Sequence, residues 1–373
     1  MSGIHHFVPV LHRGDAVGRH TLRLRDATRR RGIASDIYVD FEEEDTADQT
    51  KPAASYAEAA QRGDVVVYQF ATASYMGPWL ASRDETLVVN YHNITPPELM
   101  APWDHHLALG QLRAQGDLRV LASRTTLAVA DSAYNETHLA AAGFPSTTVI
   151  PPSAAVDDNV VASVARSLDD RTPRGTHDAG GARWLAVGRV SPNKALEDTF
   201  AALAVTRAHT DPGATLLVVG KPATGAYDAA LHRYAAELGM AGAVTFTGHA
   251  RDETVASAYE AADVLVVTSA HEGFCVPVVE AMAAGLPVVA VAQGSLPEVL
   301  GDGGTLVSSR DPYELADAIS SLLADGPRRT AAAVAAQRRL SELDMAGAAE
   351  RFADLLCTLR DEQLTRGGQR SRR

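Results

Sequence analysis

Two basic and two acidic residues, each pair set at a strand-to-helix turn, carry the most pointed chemistry in this chain. Arg189 and Lys194 stand five positions apart in Gly188-Arg189-Val190-Ser191-Pro192-Asn193-Lys194, directly after the apolar run Trp184-Leu-Ala-Val187. A guanidinium grips phosphate oxygens two at a time and an ammonium adds a compact charge, so the pair suits a diphosphate. Glu272 and Glu280 stand eight positions apart, Glu272 in the loop Glu272-Gly273-Phe274-Cys275 and Glu280 inside a helix that opens at Pro277 and stops at Gly285. Extended chain over one part and helical rise over the other place the two carboxylates about 10 Å apart. That is too far to share a proton and suitable for holding two ends of one long polar ligand. Gly273 lets backbone approach closely, and the amides of Gly273, Phe274, Cys275 and Val276 at the helix start favour hydroxyls and anions. The plain alternatives are solvated surface cations and surface acids, with Glu280 favoured by the helix dipole.

Other candidates are thinner. His92 follows the strand-like Thr86–Tyr91 and precedes Asn93-Ile94-Thr95-Pro96-Pro97, at the mouth of a buried strand, where a cleft residue or a backbone-satisfied histidine would sit. The acidic run Asp40-Phe41-Glu42-Glu43-Glu44-Asp45 has carboxylates that suit Mg²⁺, but such a run followed by the polar, Ala-rich residues 46–62 reads as a solvated loop. His5, His6, His12, His105 and His106 lack zinc-type spacing with cysteines, and no metal or other cofactor is expected.

Stepping outward, short β-branched runs alternate with helical stretches twice over. Ile4–Leu11, Ser35–Asp40, Asp64–Phe70, Thr86–Tyr91, Leu127–Asp131 and Thr147–Ile150 read as strands of one parallel, doubly wound α/β domain. A second series runs from Trp184 through Thr215–Val219, Val244–Phe246, Ala262–Val267, Pro287–Val291 and Thr305–Val307. The expected division is 1–165, a linker at 166–182 rich in Pro, Asp, Ser, Arg and Gly, a second domain at 183–344, and 345–373 as a long amphipathic helix with a basic tail. Loops at the carboxyl ends of such sheets are where ligands bind.

Composition bounds the rest. With 373 residues, 46% hydrophobic and 21% charged, the chain is long enough for two cores and has no disorder signature. A net charge of −12 argues against nucleic acid, and it means that an anionic ligand must be held by local cations. No apolar run approaches the ~20 residues of a membrane span. The start Met-Ser-Gly-Ile-His-His lacks a secretory pattern, and two distant cysteines, Cys275 and Cys357, fit a reducing cytoplasm.

The string Glu272-Gly-Phe-Cys-Val-Pro-Val-Val-Glu280-Ala-Met, with Gly285-Leu-Pro-Val-Val and Gly294-Ser-Leu-Pro-Glu298, resembles the E-x7-E signature of retaining glycosyltransferases of family 4. The resemblance covers most of residues 184–325 closely and the first half loosely. It implies the GT-B fold, two Rossmann-like domains facing across a cleft, and metal-independent transfer of a hexose from a UDP- or GDP-linked donor to a hydroxyl-bearing acceptor. It assigns Arg189 and Lys194 to the diphosphate, Glu272 and the following amides to the sugar, and Glu280 to the ribose. Gly248 and His249 fall near the base, Gly14 and Asp15 near the phosphates, and His92 near the donor sugar. Asp15 beside a diphosphate would repel it, and a helix cap is the competing role. Relatives often carry histidine where Gln69 stands, so Gln69 receives no catalytic weight. The rival readings are a non-catalytic nucleotide-sugar or carbohydrate binder, and an epimerase or phosphorylase of the same fold.

Overall fold

The computed structural model describes residues 2–153, 180–345 and 347–370, with the side chains of 366–370 left aside. Most of the expected linker at 166–182 and the last residues of the tail lie outside the described residues. The chain divides into two compact units, one made of residues up to Pro97, Leu109–Ala154 and Asp344 onward, the other of Glu98–Ala108 and Ala155–Leu343.

The first unit is built on seven described strands: β1 (Ile4–Val10), β2 (Ile37–Phe41), β3 (Thr50–Pro52), β4 (Val65–Phe70), β5 (Thr86–Tyr91), β6 (Leu127–Ala130) and β7 (Thr147–Val149). They lie in the order β3-β2-β1-β4-β5-β6-β7, every pair parallel. The period-two alternation of a strand explains the two cores. In β4, Val66, Tyr68 and Phe70 join Phe7, Tyr38, Tyr56 and Tyr91 on one face, whereas Val65 and Val67 pack with Ile4, Leu24 and Val88 on the other. The helix Ala348–Arg370 closes that second face with Phe352 and Leu356. It is tied to the end of the helix Ala16–Arg30 by Arg31, whose Nη2 lies 2.7 Å from Asp354 and whose Nη1 lies 2.5 Å from Glu350.

The second unit holds β8 (Arg183–Val187), β9 (Thr215–Val219), β10 (Val244–Phe246), β11 (Val264–Val267), β12 (Val288–Val291) and β13 (Thr305–Val307). Their order is β10-β9-β8-β11-β12-β13, again all parallel. The strand order therefore reverses between β8 and β11, the switch point at which doubly wound sheets bind ligands. Residues 46–62 depart from the loop expected of them: Thr50–Pro52 adds an edge strand and Tyr56–Ala59 a helical turn, its Tyr56 buried in the aromatic core. The helix Gly326–Leu343, a polar stretch without an obvious apolar stripe, also escapes sequence inspection.

Candidate functional site

The loops leaving β8 and β11, on either side of the switch point, are sewn together. The amide of Ala270 donates to the carbonyl of Asn193 at 2.8 Å, and Asn193 Nδ2 donates to the carbonyl of His271 at 3.2 Å. Thr268 Oγ1 donates to the carbonyl of Ala195 at 2.8 Å. These backbone anchors fix Lys194 against Glu272: Nζ lies 2.6 Å from Oε1, and Ser269 Oγ donates to the same oxygen at 2.6 Å. The side chains of Lys194 and Glu272 are 20% and 8% exposed. Burial works against the lysine's charge, but the Glu272 carboxylate outweighs it and raises the ammonium above its ordinary pKa. Gly188, Arg189, Lys194, Ser269, Glu272 and Cys275 line one pocket, with the exposed Arg189 at its rim.

Direct pairing of Lys194 with Glu272 is the feature that residue spacing did not reveal. The lysine reaches any anion in this pocket already bound to a carboxylate, so the pair acts as one dipolar unit rather than as two independent grips. A third loop holds it in place. The amide of Ser295 donates to the carbonyl of Glu272 at 3.1 Å. At Gly294, φ +60°, a Cβ would fall 2.5 Å from that carbonyl oxygen, so only glycine fits.

Helix Val276–Ala283 starts one residue before Pro277. Its cap, Cys275, sits in the left-handed region at φ 70°. Of the four described non-glycine residues with positive φ, Cys275, Ala195 (φ 47°) and Asn93 (φ 78°) each adjoin a candidate, and Asp344 is the fourth. Backbone strain of about 1–3 kcal/mol per residue is thus concentrated beside the predicted site residues. The Cys275 thiol is buried, which pushes its pKa up, and the nearby Glu272 charge adds to this; it is a protonated thiol rather than a nucleophile. Gly273 is half-buried, Phe274 is buried and Val276 is half-buried in the same turn. Glu280 accepts a hydrogen bond from the Tyr259 hydroxyl at 2.7 Å. Gly248 pairs across a short bridge with Gly220, and His249 is exposed beside it.

In the first unit, His92 follows β5 and is enclosed. Its Nδ1 lies 2.9 Å from Asp131 Oδ2 and its Nε2 2.7 Å from Gln69 Oε1. Gln69, unweighted on sequence grounds, is the hub of a buried polar network. Its Oε1 also accepts from Asn90 Nδ2 at 2.9 Å, and Asn90 Nδ2 lies 2.8 Å from His20 Nε2. His20 is completed by Ser153, whose amide donates to Nδ1 at 3.0 Å. Burial, with the charges of His5, Arg25 and Arg29, pushes His6 down to about 3, and burial likewise holds His20 well below an ordinary histidine, so both are neutral. Nothing in residue type announced this cluster, because its members, with His6 Nδ1 3.4 Å from Gln69 Nε2, are dispersed over 6–153.

Asp15 takes the helix-cap role. Its Oδ1 accepts from the amide of Gly18 at 2.7 Å at the start of helix Ala16–Arg30, with Gly14 exposed beside it. The glycine that backbone packing demands there is Gly18, where a Cβ would lie 1.8 Å from the carbonyl oxygen of His12.

Residues 173–339 match the family of glycosyl transferases group 1. A D-inositol 3-phosphate glycosyltransferase of Stackebrandtia nassauensis is 35% identical over 233 residues, covering 60% of this chain and 52% of that protein. The counterpart from Mycobacteroides abscessus is 40% identical over 141 residues, 37% of this chain and 31% of its own length. The chain thus matches about half the length of the first of these curated relatives and less of the second. Among solved structures, Anabaena HepE in complex with UDP superposes with a TM-score of 0.70 at 21% identity, covering 95% of this chain and all of that one. Sucrose-phosphate synthase of Thermosynechococcus elongatus gives 0.73 at 21% identity, covering 96% and 99%. These likenesses show a common fold of two parallel α/β units along nearly the whole chain, and the match to the group 1 glycosyl transferase family is confined to residues 173–339.

Proposed function

We propose that this chain is a retaining glycosyltransferase that moves a hexose from a nucleoside-diphosphate sugar to a hydroxyl of a small-molecule or glycan acceptor. The observation carrying this reading is the Lys194–Glu272–Ser269 cluster at the switch point of the second unit, with Arg189 at the rim of the same pocket. Breaking the bond from the anomeric carbon to the diphosphate leaves negative charge on phosphate oxygen, and preorganised cations at that charge are the largest catalytic contribution such a site offers. Lys194 and Arg189 supply them in the position a metal would otherwise take. Glu272, fixed by Lys194 and Ser269, and the amides of the turn Gly273–Val276 receive the sugar hydroxyls. Glu280 receives the ribose. Gly248 and His249 flank the base. The first unit is assigned the acceptor, with the enclosed His92–Asp131–Gln69 group orienting it or the sugar.

Retention follows from same-face attack. The acceptor oxygen bonds to the anomeric carbon as the carbon–oxygen bond to the diphosphate breaks, and the departing diphosphate takes the acceptor's proton. A double displacement would require a free nucleophile. Glu272, the one carboxylate among the lining residues, is already committed to Lys194 and Ser269, and Cys275 is a protonated thiol.

UDP and UDP-glucose complexes of Anabaena HepE make UDP the first donor base to test, against GDP. Thermal shift with each nucleotide selects the base, since saturation at about 100 times Kd adds about 2.7 kcal/mol. Donor turnover is then followed with sugar and polyol acceptors, an inositol phosphate among them, and the anomeric coupling of the product is read by NMR. Retained configuration with transfer supports the reading. Failure to bind either nucleotide, or an inverted product, sinks it.

A further inference from the structure

Tyr259 is fully buried on the helix Asp252–Ala261, yet carries a hydroxyl where phenylalanine would fill the same volume. A hydroxyl withdrawn from water is costly unless it is bonded. Its partner is a carboxylate: the phenol oxygen lies 2.7 Å from Glu280 Oε2 and 3.4 Å from the carbonyl of Pro277, so the hydroxyl donates its single proton toward Glu280. Glu280 is half-buried in the second turn of helix Val276–Ala283, and a carboxylate at that position has several rotamers that its neighbours must narrow. A charge-assisted bond from a rigid aromatic fixes the plane of the carboxylate before any ligand arrives.

We propose that Tyr259 is a positioning residue that presets Glu280 to accept the vicinal hydroxyls of the donor's ribose; this rests on the donor reading above. Tyr259 does not touch the ligand. Its contribution is to remove the cost of orienting Glu280 at the moment of binding, so loss of the hydroxyl weakens affinity only for nucleotides that offer the ribose hydroxyls.

The test is calorimetric binding of UDP and GDP to the full chain, followed by the 2′-deoxy and 3′-deoxy forms of whichever binds, for the native protein, Tyr259→Phe and Glu280→Gln. Tyr259→Phe is expected to weaken the ribonucleotide about tenfold, the size of one lost hydrogen bond to a charged group. The same variant should leave at least one deoxynucleotide within twofold. A merely structural tyrosine would weaken ribo and deoxy forms alike, or neither, and either result overturns the proposal. Glu280→Gln separates the two levels of inference. If it weakens ribo and deoxy nucleotides equally, or neither, the ribose assignment itself is wrong. If it weakens the ribonucleotide selectively while Tyr259→Phe does not, only the positioning role falls. Absence of binding by both UDP and GDP to the native chain overturns both.

Discussion

Replacing Lys194 by methionine tests whether the site's charge, rather than its shape, holds it together. Methionine keeps the length of the stem packed against Gly188 and removes the cation 2.6 Å from Glu272. Glu272 is then left 8% exposed with Ser269 as its remaining partner in that pair of bonds. Removing one partner of a buried ion pair costs about 3–5 kcal/mol. Because the lysine side chain is 20% exposed, water reaches part of the site, and screening reduces the figure to about 2–3 kcal/mol. For a unit of this size each kcal/mol is worth about 2–4 °C, so Tm of the second unit should fall by about 4–12 °C. The double variant Lys194→Met, Glu272→Gln removes both charges, keeps the volume, and should recover at least half of that loss. Turnover of a nucleotide sugar, by contrast, should stay at least about 100-fold down in single and double variants alike, because neither restores a cation at the leaving diphosphate. Differential scanning calorimetry and steady-state kinetics on the same preparations give both readouts. Should the double variant be as unstable as the single one, the lysine acts through its aliphatic stem and the electrostatic argument is wrong. Native kinetics in Lys194→Met would end the assignment of this residue to the donor phosphates.

Glu272→Gln preserves the bond from Ser269 but removes the charge that balances Lys194, so kcat should fall by about 100-fold or more while donor KM moves only a few-fold; a purely KM effect would contradict it. Gly294→Ala puts a Cβ 2.5 Å from the carbonyl of Glu272 at a left-handed φ of +60°, and should cost about 1–3 kcal/mol in thermal stability and most of the activity. The pH profile of stability tests the histidine network. His6 and His20 are depressed in the fold, His6 from 6.5 to about 3, so the unfolded chain binds more protons below pH 6.5 and the first unit loses stability as pH falls toward 3. His6 contributes a slope of about 1.4 kcal/mol per pH unit in that window, and His20 acts in the same direction. Denaturant melts between pH 7 and 4 should be measurably flatter for His20→Gln; equal slopes would show that His20 is not the neutral, buried group described.

The fold was largely legible in one dimension because strand burial is encoded locally. Val264–Val267 and Trp184–Val187 declare themselves as apolar runs, and Pro277 and Gly285 bracket a helix whose limits came within a residue or two. Backbone-dictated features are legible for the same reason: turn chemistry, strand-to-helix spacing and the presence of Arg189, Lys194, Glu272 and Glu280 all lie within short windows. Edge strand Thr50–Pro52 was hidden by its polar residues, since a strand at a sheet edge needs little apolar surface.

What only the tertiary structure decided is which of those side chains meet. Lys194 and Glu272 are 78 positions apart and joined because β8 and β11 are neighbours in the sheet, an order that long-range pairing sets. Gln69, Asn90, His20 and Ser153 form one network because β4, β5, the helix Ala16–Arg30 and the segment after β7 converge, and no window of sequence contains them. Tyr259 owes its meaning to Glu280 in the same way. Residue type determined what chemistry this chain can do. The sheet order determined where, because hydrogen bonds and ion pairs act over about 3 Å of space, whatever the separation along the chain.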